Sequence, residues 1–379
     1  MPDAPLIDLR TGIPLASGDA DLDVSVLVPL LDEADTVRST IEIILDQDYP
    51  GSVELLLIDG GSTDGTREIV AEVASRQPGV RLLDNPDRTT PVALNIGLRH
   101  ARGRFVARID AHSEYPRHYL RAGVERMERG DVASVSGPAL ARSDRRWSRR
   151  VALALSTWLG TGAARFRSAV DGEVEVDTGF TGVWERSTLE AHGGWDEDTY
   201  PNEDAELAAR IRAAGGRLVC LPEMAAYYTP RNSLVALARQ YWRYGQYRCR
   251  TAVRQPNSVR PSHVLSPGLA VAVLLAPLPL PIVSKAAAGG VGCYAAVNLA
   301  VSAAQVRGSG RDAVWLPAVF ATMHLSWGFG FLRGITRFGF PTAAVRRIVA
   351  GLVPGGRRHS RAGSTGRTTR GAAHGEMAR

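Results

Sequence analysis

Cysteine is nearly absent: Cys220, Cys249 and Cys293 are odd in number, widely spaced and include no Cys-x-x-Cys pair. A disulfide framework and a cysteine-based zinc site are thereby excluded. Lysine is scarcer still, with Lys285 alone among 45 Lys+Arg, in a chain rich in Arg, Ala and Gly. The first 23 residues hold five Asp and no apolar run of signal-peptide length. No cleaved export signal is expected, and the bulk of the protein is expected to face a reducing cytoplasm. Internal repeats are also lacking. The net charge of +6 is not spread evenly, because Arg333 to Arg379 carries ten Arg against Glu376, or +9, leaving −3 for the other residues. A slightly acidic body with a basic tail lacks the charged surface of a duplex-reading domain, so no nucleic-acid partner is expected. At 379 residues and 45% hydrophobic, chain-wide disorder is excluded and roughly two domains fit.

From about residue 22 to 250, short β-branched runs alternate with amphipathic stretches, the pattern of parallel α/β units. The runs are Val24 to Val28, Val53 to Ile58, Val80 to Leu83, Phe105 to Ile109 and Val132 to Val135. A helix is expected over Asp64 to Arg76, with Asp64 as N-cap and Ile69, Val70 and Val73 on one face. Right-handed crossovers place the carboxyl ends of such strands on one edge, where ligands bind. Chemistry is therefore sought in the loops that follow the strands.

Past residue 263 the composition shifts. Val264 to Val283, Ala286 to Ala304 and Ala313 to Leu332 each lack a charged side chain. Each is long enough to cross about 30 Å of hydrocarbon. The expected organisation is an N-terminal extension (1–21), a catalytic domain (22–250), a linker (251–263), a membrane region with two or three apolar segments (264–332) and a basic, largely disordered cytoplasmic tail (333–379). Pro267, Pro277, Pro279 and Pro281 make the first apolar segment the candidate for a re-entrant or interfacial one.

Three loops carry candidate chemistry. Asp59-Gly60-Gly61-Ser62-Thr63-Asp64-Gly65-Thr66 lets backbone approach a nucleotide and leads into a helix N-terminus with unpaired N–H groups. Its glycines miss the G-x-G-x-x-G spacing, which excludes a dinucleotide fingerprint. Asp110-Ala111-His112 sets a carboxylate and an imidazole two residues apart, a pair suited to a divalent metal bridging phosphate oxygens, or simply a helix cap and an exposed ring. Asn202-Glu203-Asp204 opens a helix; acids there suit the helix dipole, and one placed beside a hydroxyl can act as general base. Gln240 to Arg248 then interleaves aromatics and cations just before the apolar region, as interfacial anchors also do.

In order and spacing, Val26 to Glu33, Asp59 to Thr66, Asn95-Ile96-Gly97, Asp110-Ala111-His112, Gly193-Gly194-Trp195-Asp196-Glu197 and Asn202-Glu203-Asp204 resemble the family 2 inverting glycosyltransferases of GT-A fold. The resemblance covers about residues 22 to 250. The Asp-Ala-His form and the C-terminal segments with His324 to Gly330 look closest to the ExoA-like branch, whose members extend lipid-linked exopolysaccharide precursors. The resemblance implies a Rossmann-like GT-A domain followed by transmembrane helices, in a multi-pass protein of the plasma (inner) membrane with its catalytic domain cytoplasmic. It implies that Pro29, Leu30, Glu33, Asp59 and Asp110 bind the nucleotide sugar, and that Asp110 and His112 hold the metal. Asp204 is then the catalytic base, with Glu203, Trp195, Gln240 and Arg243 serving acceptor and diphosphate.

Two departures stand out: Gly60 replaces the second Asp of the usual Asp-Asp-Gly-Ser, and His112 replaces the last Asp of Asp-x-Asp. Tyr244 also stands where Gln-x-x-Arg-Trp has Trp. The implied partners are a nucleotide-diphosphate sugar, a lipid-linked saccharide acceptor, membrane lipid and other polysaccharide-assembly proteins. The implied cofactor is a divalent cation, Mn2+ favoured over Mg2+ because imidazole suits it better. The rival reading is a non-catalytic, membrane-anchored scaffold that binds sugar nucleotide. A nucleotidyltransferase is disfavoured by the missing Gly-rich, Lys-bearing N-terminal loop.

Overall fold

The computed structural model describes residues 6–8, 14–15, 22–162 and 171–352. Val24, Val26 and Val28 pack on one face of the sheet with Leu55 and Leu57, while Leu27, Leu56 and Ile58 pack on the other. This period of two, apolar in both phases, belongs to strands covered by helices on both sides. Helices Val37–Leu45, Thr66–Arg76 and Tyr119–Met127 cover the first face; Thr90–His100, Arg186–Ala191 and Glu203–Ala213 cover the second.

Among the described residues the main sheet has ten strands. Its path runs Val174–Glu175, Leu218–Cys220, Ser134–Gly137, Phe180–Glu185, Phe105–Arg108, Val24–Leu30, Ser52–Asp59, Leu6–Asp8, Pro14–Leu15, and Val80–Asp84 also pairs with Ser52–Asp59. Val24–Leu30 is parallel to both Ser52–Asp59 and Phe105–Arg108. The sheet is mixed rather than wholly parallel, because Phe180–Glu185 inserts antiparallel between Phe105–Arg108 and Ser134–Gly137. Two reversals restore direction, so the strands named from sequence still point their carboxyl ends to one edge. Helix Thr66–Arg76 starts two residues later than expected, behind Gly65 at φ +97, and Asp64 accepts from the Thr66 N–H at 3.0 Å.

The C-terminal region departs further from expectation. Helix Leu234–Arg254 runs past the expected boundary at 250 and packs along helix Leu316–Phe338. A Cβ on Gly245 would strike the Trp327 carbonyl, and one on Gly330 the Trp242 carbonyl, so glycine permits the two backbones to touch. Leu316, Val319, Phe320 and Met323 are buried against Val151, Ala154 and Leu237. The uncharged stretch Ala313 to Leu332 is thus largely a packed helix. Helix Leu265–Leu275 has 11 residues, about 16 Å, too short to cross a bilayer. Among the described residues Pro281–Val306 alone is long and apolar enough to do so. The expected disordered tail begins helical: Leu316–Phe338 continues past 332, and Thr342–Leu352 places Ala344 and Ile348 against Cys249, Ala252 and Val259. Apolar Val345, Ile348, Val349 and Leu352 recur there at helical spacing. Residues 353–379 lie outside the described residues, as does most of the extension expected over 1–21.

Candidate active site

Strand Phe105–Arg108 ends in a charge with 5% side-chain exposure. A buried guanidinium requires partners, and Arg108 has three. Its Nε and Nη2 donate to the two carboxylate oxygens of Asp110 at 2.9 and 3.3 Å. Its Nη1 donates to Asp204 at 2.7 Å and to Glu203 at 3.3 Å. One cation thus draws Asp110, from the loop after its own strand, to the first turn of helix Glu203–Ala213. Sequence reading gave Arg108 no role; a lone charge closing an apolar strand was the signal available.

Three carboxylates share that single guanidinium. Burial pushes Asp204 up to about 7, against the pull of Arg108 and with Glu203 and Asp110 adding to the rise. At Asp110 burial also acts upward, but Arg108 and then His112 outweigh it and hold the carboxyl below its usual range. Asp204, whose side chain is 21% exposed, therefore combines access with basicity near neutrality.

On the opposite side of Asp110, the His112 ring is half exposed and its Nδ1 faces Glu33 Oε1 at 3.4 Å. The Glu33 carboxylate raises His112 above the usual imidazole range, against burial and with Asp110 adding, while the Arg231 charge opposes. Burial disfavours ionised Glu33, yet bonds from His112 and Thr36 hold its carboxyl below the usual value. With Nδ1 turned to a carboxylate, Nε2 is the nitrogen left for a metal, the arrangement usual for metal-bound histidine. Each Asp110 oxygen keeps a lone pair beyond its bond to Arg108. Among the described residues no three His, Cys, Asp or Glu side chains form a closed metal site. The donor set fits an open site completed by ligands from a diphosphate.

The two Gly- and Asp-bearing loops are stitched together. Ser62 Oγ accepts from Asp32 N at 2.9 Å, Asp32 accepts from Thr63 N at 2.8 Å, and Thr66 Oγ1 accepts from Glu33 N at 2.8 Å. Asp59 is buried and its carboxylate accepts from Gly61 N and from Ser62 Oγ at 2.6 Å. Leu30 is a core side chain, and its carbonyl accepts from Gly60 N. Leu30 and Asp59 thus shape the loop from beneath. Half-buried Pro29 and Glu33 stay at its surface.

Asn95 explains the spacing of two distant motifs. Its side chain accepts from Trp195 N at 2.8 Å and donates to Trp195 O at 2.8 Å and Glu197 at 2.9 Å. A Cβ on Gly194, at φ +67, would collide with the Asn95 amide, so this approach needs glycine. Trp195 itself is 1% exposed and packs edge-on to Trp184. It therefore lies beneath the site. Gln240 and Arg243 lie on helix Leu234–Arg254, where Arg243 stacks over Tyr200 at 5.2 Å and Asn202 donates to Tyr244 O at 3.4 Å. Arg243 thus borders the loop that delivers Glu203 and Asp204, while Gln240 donates to the Tyr244 hydroxyl at 3.0 Å on its own helix.

Comparison with known proteins gives the family and the fold. The model "Glycosyl transferase family 2" matches residues 25–192. Succinoglycan biosynthesis protein ExoA of Rhizobium meliloti is 32% identical over 322 residues, 83% of this chain and 95% of that protein. A Methanococcus voltae dolichyl N-acetyl-alpha-D-glucosaminyl phosphate 3-beta-D-2,3-diacetamido-2,3-dideoxy-beta-D-glucuronosyltransferase is 24% identical, covering 59% of this chain and 71% of its own. Among solved structures, mannosyltransferase PcManGT from Pyrobaculum calidifontis, in complex with GDP-Man and Mn2+, superposes with TM-score 0.55 at 23% identity, over 84% of this chain and 88% of that one. That likeness fixes a GT-A-like fold. The family match and ExoA identity across most of both chains give one answer: the chain belongs to glycosyltransferase family 2, is ExoA-like, and is a glycosyltransferase.

Proposed function

We propose that this protein transfers a sugar, with inversion, from a nucleotide-diphosphate sugar to a lipid-linked saccharide acceptor at the membrane surface. The observation that carries the reading is the Arg108 clamp, which sets a diphosphate-side carboxylate, Asp110, and a basic carboxylate, Asp204, around one cation. Asp204 takes the proton of the acceptor hydroxyl as that oxygen attacks the anomeric carbon, and the nucleoside diphosphate departs from the opposite face. Arg108 keeps Asp204 oriented, while burial keeps it basic enough to accept the proton at neutral pH. Asp110 and His112 would hold a divalent cation, Mn2+ favoured, which when bound stabilises charge on the leaving diphosphate. Pro29, Glu33 and the loop over Gly60 to Thr63 form the surface for the nucleotide. The scaffold alternative has no observation in its favour.

The apolar segments serve as an anchor, read here as a re-entrant hairpin. Helix Leu265–Leu275 leads out and helix Pro281–Ser309 leads back to a turn holding Asp312, which pairs with Arg149 at 2.6 Å and Arg150 at 2.9 Å on helix Arg146–Leu155. Leu274, Leu278, Leu280 and Ile282 are exposed around the tip, Ile282 at 86%. Both feet stand on the catalytic domain, so the hairpin enters a leaflet and returns, keeping domain and basic tail on the cytoplasmic side. Incubating membranes with radiolabelled sugar nucleotides and lipid extract tests the whole reading. Wild type is expected to label lipid, and Asp204→Asn to lose transfer while retaining donor binding. Binding without turnover in wild type would favour the scaffold.

A further inference from the structure

Away from the Arg108 cluster, a cavity of about 390 Å3 opens between helix Leu234–Arg254, the C-terminal end of helix Leu316–Phe338 and the loop that carries Asp198. Arg250, Arg254 and Arg337 project into it beside the rings of Tyr247 and Phe338, which approach to 5.9 Å. Two of the cations are matched: Arg250 donates to the Asp198 backbone carbonyl and carboxylate, and Arg254 donates to Asp196 at 2.8 Å. Arg337 has no carboxylate partner among the described residues and lies over Phe338 at 5.1 Å. Such a site, guanidinium groups above an aromatic floor, suits a phosphate or diphosphate attached to an apolar chain.

The position agrees with a lipid. Tyr294 bonds His324 at 2.9 Å and Asn298 bonds the Pro317 carbonyl at 3.1 Å, which sets helices Pro281–Ser309 and Leu316–Phe338 antiparallel. The apolar tip around Leu280 and Ile282 and the Arg337–Phe338 end of the other helix therefore lie toward the same end of the pair. An anionic headgroup in the cavity would leave its chain beside the exposed apolar surface. The cavity wall is also the loop that leads to the base: Arg250 and Arg254 hold Asp198 and Asp196, six and eight residues before Asp204.

We infer that this cavity binds the phosphate or diphosphate headgroup of a lipid. Identifying that lipid with the acceptor rests on the proposed transfer reaction; the binding itself does not. The test uses the full chain in detergent, titrated with geranylgeranyl diphosphate, inorganic pyrophosphate and phosphatidylglycerol micelles, for wild type, Arg337→Gln and Arg337→Lys. Geranylgeranyl diphosphate is expected to bind wild type, to lose at least tenfold in affinity with Arg337→Gln at an unchanged thermal midpoint, and to recover in part with Arg337→Lys. Preference for geranylgeranyl diphosphate over phosphatidylglycerol marks an isoprenoid ligand, while equal binding marks bulk anionic lipid; either supports a headgroup site. Pyrophosphate bound as tightly as the lipid diphosphate would overturn the lipid assignment, and Arg337→Gln without effect on any probe would overturn the site. In transfer assays, a raised KM for lipid acceptor with an unchanged KM for sugar nucleotide is the expected consequence. Failure of that arm alone, with binding intact, would count against the transfer reading and not against the cavity.

Discussion

Asp204→Asn separates what the base does for chemistry from what it costs the fold. In the folded protein Asp204 is held near 7, raised first by burial, whereas an unfolded chain releases that proton near 3.8. Between those values the folded state binds more protons than the unfolded one, so stability falls as pH rises from about 4 to about 7 and levels above. The ionised form is disfavoured by up to about 4 kcal/mol on that difference. Because Asp110, Glu203 and Asp204 share the strain around Arg108, roughly 1–2 kcal/mol is the recoverable part. Asparagine keeps the shape and an oxygen for Arg108 Nη1 but carries no charge, so it escapes the penalty.

The variant is expected to match wild type near pH 4.5 and to exceed it by about 2–8 °C in thermal midpoint at pH 8. Scanning fluorimetry in detergent from pH 4.5 to 8.5 reads this directly. Transfer should fall by about 10²–10⁴, and the wild-type kcat/KM should lose activity on an acid limb near pH 7. A stability difference that does not change with pH, or a variant less stable than wild type at pH 8, would refute the assignment of the excess charge to Asp204. More than about a tenth of wild-type transfer in the variant would place the base elsewhere.

Arg108→Met strands three carboxylates without their cation and should cost about 3–5 kcal/mol, measured by denaturant unfolding; a wild-type midpoint would show the clamp to be dispensable. If His112 holds the cation, His112→Asp should move metal preference from Mn2+ toward Mg2+ in initial-rate assays, and an unchanged ratio would remove His112 from the metal. Asn95→Ala leaves the Trp195 backbone N–H and carbonyl unpaired in the core, a loss of about 1–3 kcal/mol in unfolding free energy. A cysteine at position 310 should resist membrane-impermeant labelling of intact cells if the hairpin returns to the catalytic side; labelling from outside would make Pro281–Ser309 a true span.

The strands were readable where local chemistry and tertiary burial agree. Val24 to Val28 and Val53 to Ile58 are apolar in both phases, so their place in a doubly covered sheet follows from sequence. Phe180–Glu185 was not readable: it is short, contains Gly182 at φ +147, and takes its place between two strands remote in sequence. The ordered motifs pointed to Asp110, His112, Glu203 and Asp204, which the structure brings to one edge, because loop and helix-start residues announce themselves by type. Arg108 did not, since its meaning lies in partners 95 and 96 residues away. Likewise Asn95 and Trp195 were visible as motif members, but the bonds between them exist only after both sheet faces are covered.

The apolar C-terminal stretches show what composition alone leaves open. Hydropathy measures transfer from water, and lipid and protein interior reward it equally. Ala313 to Leu332 is free of charge, yet Gly328, Gly330 and Gly334 recur along a helix whose partner, Leu234–Arg254, carries Arg239, Arg243, Arg248, Arg250 and Arg254. A helix bound backbone to backbone to so basic a neighbour cannot lie at mid-bilayer without taking those charges with it, at about 2.5–3.5 kcal/mol for each central Arg. The glycines were the available signal, since small residues at helical spacing mark close helix contact whether the surroundings are lipid or protein. Pro281–Ser309 has glycines too, at 289, 290 and 292, but a Cβ on any of them would meet nothing. Glycine along an apolar helix therefore has opposite meaning on the two helices, and only the presence of a facing backbone decides which one is packed against protein.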